Sequence, residues 1–203
     1  MNKRCGSWEM EVVVVLAILA LFGAILFPAF AMAREKARQT ACREQMHRVG
    51  MALIAYANDN DGRWPPVQDR PPWSQLQHYV LVTAADSWSL EPVFRCPGDG
   101  RENPPFMLVG GAPLVFSWGF RKEAFGTSNR DNGRSDFPVV VDYSGETGLW
   151  ESRSVASVIP YDRHNGWTNV LLHDGHATCK GTDNFCQEVE KGRYSRRLGE
   201  GEH

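Results

Sequence analysis

Residues 6–45 read GSWEMEVVVVLAILALFGAILFPAFAMAREKARQTACREQ, and this stretch decides the fold. Val12 to Phe27 contains no charged or polar side chain, and Ala29 to Ala33 extends the run. At 1.5 Å per residue, ~20 apolar helical residues cross the hydrocarbon core of a bilayer. A core helix of a soluble domain carries a polar face, and none occurs before Arg34. The run therefore reads as a membrane-inserting helix. Three fates compete for it: a cleaved signal peptide, a plain anchor, or a helix that stays and works. Ala29-Phe30-Ala31 and Ala31-Met32-Ala33 both resemble signal-peptidase sites, but Glu9 and Glu11 sit where a basic leader should meet the apolar core.

The pattern beyond Arg34 favours a helix that stays. Cys42, Met46, Val49, Leu53 and Tyr56 recur at steps of four and three, which makes one apolar stripe. The remaining positions, among them Arg34, Glu35, Lys36, Arg38, Gln39, Arg43, Glu44, Gln45 and Arg48, are largely polar or small. One helix thus runs from the membrane into water and offers a single face to a partner surface. It stops at Asn58-Asp59-Asn60-Asp61-Gly62, a cluster of turn formers.

The rest of the 203 residues provides one modest head. RWPPVQDRPPW (63–73) reads as a proline-stiffened connector, and WSQLQHYVLV (73–82) as a short helix with Trp73, Leu76 and Tyr79 or Val80 inward. EPVFRCPGDG (91–100) reads as a strand ending in a turn. PLVFSWGF (113–120) and FPVVVDYSG (137–145) read as strands. TNVLLHDGHATCK (168–180) reads as a hairpin turning at Asp174-Gly175. The expected fold is α+β, a long helix on a small antiparallel sheet with long loops. Residues 1–6 form a leader, 7–33 the membrane and assembly segment, 34–61 the water-soluble half of the same helix, 62–186 the head, and 187–203 a polar, flexible tail.

A net charge of −2 gives no electrostatic reason to expect a nucleic-acid partner. Of the cysteines, Cys42, Cys96, Cys179 and Cys186 would remain after loss of the segment before Gly6. An even set in an exported head admits disulfides, for example Cys179–Cys186 with Cys42–Cys96, while four separate thiols are the other reading. No Cys-x-x-Cys pair occurs, so a zinc ribbon is not expected. His164, His173, Asp174 and His176, with Asp142 at a strand end, are a candidate divalent-metal set. The competing reading has His164 bonded to Asp174 or a backbone carbonyl, with Asp174-Gly175 serving only the turn. Ser144 lacks a Gly-x-Ser-x-Gly elbow, and neither GDGREN nor VGGAP makes a phosphate loop, so no enzyme is expected; the alternative is a membrane-tethered extracytoplasmic metal-binding protein or hydrolase using the His164/Asp174 hairpin.

Gly6, Glu11 five places on, and an apolar helix carrying Pro28 resemble the N-terminus of type IV prepilins and pseudopilins. FPAFAMAREKARQTACREQMHRVGMALIAYANDNDGRWPP (27–66) is similar to a bacterial branch marked by an N-terminal cleavage and methylation segment. A C-terminal His, nine residues, then Asp-Gly also marks that branch. Here the second mark is His164, NGWTNVLLH, then Asp174-Gly175. The resemblance implies cleavage after Gly6 by a prepilin peptidase and methylation of the new N-terminus, Ser7. It implies that Glu11 pairs with a neighbouring subunit's terminal amine, a buried carboxylate being costly until a cation reaches it. The alternative is that Glu11 only marks the interfacial start of the anchor. Pro28 removes one helical hydrogen bond and is either a site that extends on filament packing or a simple kink. Implied partners are like subunits, an inner-membrane assembly platform and the lipid bilayer. The implied place is the inner membrane, single-pass with the head outside, and then a pilus or pseudopilus. No cofactor is implied beyond calcium, held through oxygens of Asp142 and Asp174. The sequence departs from the family in having Ser7, Trp8, Glu9 and Met10 where Phe and an apolar triplet are usual. The lysine and arginine count, Lys3 and Arg4 against Arg34, Lys36 and Arg38, would by itself place the head inside.

Overall fold

A computed structural model describes residues 5–67, 72–83, 91–102, 106–109, 112–124, 136–145, 147–161 and 163–194. The chain divides into two compact units, Met1–Ala37 and Arg38–His203. Helix α1 runs from Cys5 to Asp59 and so contributes to both. In the first unit its apolar residues are open on every side: valine, leucine, isoleucine and phenylalanine side chains between Val12 and Phe30 are 42–81% accessible. By length and composition this helix can cross a membrane. Pro28 lies inside it.

In the second unit the stripe is realised. Cys42, Met46, Val49 and Leu53 are buried, Tyr56 is half-buried, and Ala52 and Ala57 complete the face. Small residues set its close approach. A Cβ at Gly50 would meet Leu171 Cδ1 at 2.7 Å and the Gly175 backbone at 3.3 Å, so glycine lets the helix settle closely here. The helix ends as its turn formers dictate: Asp61 and Gly62 take positive φ (57° and 74°), and the Gly62 N–H donates to Ala57 O at 2.7 Å.

The main sheet has five strands in the order β5-β3-β4-β6-β7, with β3 Trp118–Arg121, β4 Pro138–Asp142, β5 Leu149–Trp150, β6 Trp167–Leu172 and β7 Ala177–Gly181. A separate hairpin joins β1 Phe106–Val109 to β2 Ala112–Val115. Strand β4 is central and buried at every position, which suits its Val139-Val140-Val141 run, and its proline stands at the first residue, where a missing N–H is tolerated. The β6–β7 hairpin turns at Asp174-Gly175 with Gly175 at φ +84°, as expected.

Four expectations need correcting. The sheet is mixed, because β5 pairs parallel to β3 (Phe120 with Leu149, Arg121 with Trp150). Strand β5 follows β4 in the chain and lies along the free edge of β3. Tyr143 lies over Gly119, and the Trp150 indole donates to Gly119 O at 3.0 Å. PLVFSWGF is two strands in two sheets, broken at Phe116-Ser117, where the Ser117 N–H donates to Phe94 O at 2.9 Å. EPVFRCPGDG opens with helical turn α3, Glu91–Phe94, its Pro92 placed where an N–H has no partner in any case. Packing also extends past Cys186. Helix α5, Thr182–Glu190, buries Phe185, Cys186 and Val189, and Tyr194 is buried beyond it. Arg121 holds that end by donating to Tyr194 O (2.9 Å) and Ser152 Oγ (2.5 Å) while stacking on Phe137. Helix α2, Trp73–Thr83, buries Leu76 and Val80 and half-buries Tyr79, and α4, Val155–Val158, packs against α5. Residues 68–71 of the expected connector, residues 1–4 of the leader and residues 195–203 of the tail lie outside the described residues.

Candidate functional site

The sheet's register aligns one row of side chains. Trp118 on β3 is opposite Asp142 on β4, and Asn169 on β6 is opposite Cys179 on β7. Pairing of Val141 with Val170 carries the row from Asp142 to Asn169. Directly opposed residues share a face, so this row looks one way, toward the second half of α1. Gln39 of α1 donates to Cys179 Sγ at 2.8 Å, and Cys42, one helical turn on, donates to Asp142 Oδ1 at 3.7 Å.

Two further segments meet Asp142. Cys96 follows α3, and His164 precedes β6. His164 Nε2 is 3.3 Å from Cys96 Sγ and 3.9 Å from Asp142 Oδ2. One donor atom from each of Cys42, Cys96, Asp142 and His164 lies within 4.8 Å of all the others, and all four residues are buried. Gly98 leaves room for the imidazole: a Cβ there would stand 2.7 Å from His164 Cε1.

A hydrogen-bonded shell fixes these groups. Asp142 Oδ2 accepts from the Asn169 backbone N–H at 2.7 Å and from Asn169 Nδ2 at 3.1 Å. Cys96 Sγ accepts from the Gly98 N–H at 3.3 Å. Arg163, its side chain 4% exposed, stands 3.8 Å from Asp142 Oδ1 and 3.2 Å from Asp99 Oδ2, and donates to the carbonyls of Ser117 and Tyr143. Asp99 also accepts from Ser117 Oγ at 2.6 Å and from Arg101. This network sets the path of residues 163–164 and so the entry of the imidazole.

Burial sets the acid–base character. It pushes the Cys42 thiol well up, with Cys96 and Asp142 adding to the rise. Cys96 goes the other way: a hydrogen bond from Cys42, helped by His164, pulls it to about 6 against the cost of burial. Burial raises the Asp142 carboxyl despite the opposing charges of Arg163 and His164. Burial would raise Asp99 too, but Arg101, Arg163 and Ser117 together hold it at about 2.

The structure divides the expected residues differently from their spacing in sequence. His164 and Asp142 meet; Asp174 does not join them. Strand β6 lies between His164 and Asp174, and Asp142 and Asp174 flank opposite ends of the β4–β6 pair, separated by roughly 13 Å of strand. Asp174 is exposed and its Oδ1 accepts the His176 N–H at 2.9 Å, an Asx turn. His173 stacks flat on Trp64, ring centroids 4.7 Å apart. Calcium, which takes six to eight oxygens, does not fit: one carboxylate between two thiols is the wrong donor set. Of the two readings of the cysteines, the structure has Cys42, Cys96, Cys179 and Cys186 as separate thiols. Gly6 lies in α1 near its start, as does Ser7, and Glu11 is exposed on the same helix.

Sequence reasoning treated the cysteines and the His–Asp pair as separate questions. The overlooked signal was Cys42 itself, a ligand-type residue on the buried stripe of a helix. No protein-family model matches the chain, nor does any curated protein or solved structure.

Proposed function

We propose that the protein is a structural subunit of a filament of the type IV pilus or type II secretion kind, held in the inner membrane before assembly with its head outside. The observation that carries this reading is the first half of α1, apolar and open on all sides from Val12 to Phe30. Burying valine, leucine or phenylalanine side chains contributes ~1.5–3 kcal/mol each. Summed along this segment, the exposure would outweigh the ~5–15 kcal/mol stability of a whole domain. Such a surface needs a permanent cover. Lipid supplies it first, and like helices of neighbouring subunits supply it in the filament. Glu11 is an exposed acidic group near the start of this helix, and the N-terminal resemblance assigns it the pairing with a neighbour's terminal amine. The four-residue cluster of the head is closed to solvent, which favours a structural over a catalytic use.

The test is the N-terminus of the mature protein, isolated from membranes and read by mass spectrometry. Methylated Ser7 is expected. An intact Met1, or an N-terminus at Met32 or Arg34, would refute the reading.

A further inference from the structure

We propose that Cys42, Cys96, Asp142 and His164 bind one zinc ion in a tetrahedral site that locks the core of the head. Two sulfurs, one imidazole nitrogen and one carboxylate oxygen form a donor set that zinc favours, and the softness of the sulfurs excludes magnesium and calcium. The geometry is close to what the ion requires. Zinc bonds of ~2.0–2.3 Å to a tetrahedron of donors place those donors about 3.3–3.8 Å apart. Cys96 Sγ is 3.3 Å from His164 Nε2, Cys42 Sγ is 3.7 Å from Asp142 Oδ1, His164 Nε2 is 3.9 Å from the other carboxylate oxygen, Oδ2, and one donor atom from each residue lies within 4.8 Å of all the others. Drawing the donors in, by up to about 1 Å for the widest pair, completes the polyhedron.

The surrounding groups are those of a metal–thiolate site. The two Asn169 donors both occupy Asp142 Oδ2, which leaves Oδ1 turned toward Cys42. The Gly98 N–H points at Cys96 Sγ. The Trp118 indole N–H is wholly buried without a nitrogen or oxygen acceptor, and it borders Cys42, whose sulfur as a thiolate would receive it. Outer-shell donors of this kind orient and stabilise ligating groups. Charge closes as well: two thiolates and a carboxylate carry three negative charges, which the ion and the adjacent Arg163 balance. On binding, the thiol protons pass to solvent.

All four positions are protein ligands and all are buried, so no position remains for a substrate and the role is structural. The ion would tie together α1, the turn after α3, the end of β4 and the segment before β6. These four segments are distant in sequence, and of them only the end of β4 is itself a strand of the main sheet. This holds whatever the first half of α1 does.

The experiment uses the full chain in detergent micelles, reduced, stripped with a chelator and titrated with cobalt(II) chloride. One equivalent should bind with tetrahedral d–d absorption and thiolate-to-cobalt charge transfer, and zinc should displace it. Cys42→Ser and Cys96→Ser should each weaken the charge transfer, and the double variant should abolish it. Cys186→Ser, buried in α5 away from the site, should leave it unchanged. Because a variant at the cluster can fail to fold, the unmodified chain decides the matter. The proposal is overturned if the reduced chain gives only the spectrum of hydrated cobalt, if charge transfer survives loss of both cysteines, or if Cys42 and Cys96 are found as a disulfide and their reduction restores no metal uptake.

Discussion

Replacing Gly119 by alanine should destabilise the head by about 2 kcal/mol, and only while Tyr143 is present. A methyl group at Gly119 would stand 2.7 Å from Tyr143 Cγ and 3.1 Å from its Cβ, where ordinary contact begins at 3.4 Å. Ring atom Cδ2 would be closer still, so the ring would have to withdraw by more than roughly 0.7 Å, and it is poorly placed to do so. Its backbone N–H donates to Ser117 O at 2.9 Å, its hydroxyl meets Thr147 Oγ1 at 2.9 Å, and the crowding at Cβ is not relieved by any rotation of the side chain. Forcing an extra methyl into such a site costs ~1–3 kcal/mol. Opposing this, alanine reduces the freedom of the unfolded chain, worth ~0.4–1 kcal/mol, and Gly119 has no positive φ that alanine would strain. The clash therefore wins in the native background. Removing the ring reverses the sign: Tyr143→Ala alone should cost ~3–5 kcal/mol, and adding Gly119→Ala should then cost nothing or restore up to ~1 kcal/mol. Urea unfolding of the full chain in micelles, followed by fluorescence of the buried Trp118 and Trp150, measures the cycle. Equal losses from Gly119→Ala with and without Tyr143 would refute the steric account.

Two pH effects follow from the burial of charged groups. Arg101, Arg163 and Ser117 hold Asp99 at about 2 in the fold against 3.8 ordinarily, a difference of roughly 2 kcal/mol. Because its folded value is depressed, that stability is fully present above pH ~4 and is lost as pH falls through ~2. Asp99→Asn should therefore be ~2 kcal/mol less stable than the parent at pH 7, and the deficit should close near pH 2 in parallel denaturant titrations. Burial lowers the His173 imidazole, with Asp174 opposing, so the fold prefers it neutral and stability falls as pH drops below 6.5 toward its folded value. His173→Phe keeps a ring on Trp64 and removes the charge, so the decline in thermal midpoint between pH 7 and 5 should become shallower than in the parent; an unchanged slope would assign that decline to other groups.

The helix was legible in full because its two halves carry two unambiguous patterns. An unbroken apolar run has one reading, and a stripe at Cys42, Met46, Val49 and Leu53 has another. The hairpin was legible because Asp174-Gly175 leaves a turn few alternatives. What the sequence concealed depended on contacts between distant segments. Nothing local separates PLV from SWGF as members of different sheets; the break arises because Ser117 is bonded to Phe94 and Tyr143, far away in the chain. Helix α5 was hidden by polar composition, although Phe185, Cys186 and Val189 lie at helical spacing. The cluster was half visible. His164 and Asp142 stood out as chemistry-bearing residues, but their companions are cysteines that pair just as readily on paper with each other.

The ten-residue interval from His164 to Asp174 has a physical explanation in this fold. Six residues of β6, Trp167 to Leu172, carry the chain across the sheet, and the flanking residues bring His164 to one end and Asp174 to the other. The two marks therefore perform separate tasks at opposite ends of one strand. His164 closes the buried cluster beside Asp142, while Asp174 and Gly175 return the chain so that Asn169 comes to lie opposite Cys179. Strand register couples the tasks. A slip of one residue in β6 would turn Asn169 to the other face and remove both hydrogen bonds that it gives to Asp142, leaving that carboxylate buried with one fewer partner residue. The spacing thus preserves the alignment of a hairpin with the core site beneath it, and a joint active site of the histidine and the aspartate is not needed to account for it.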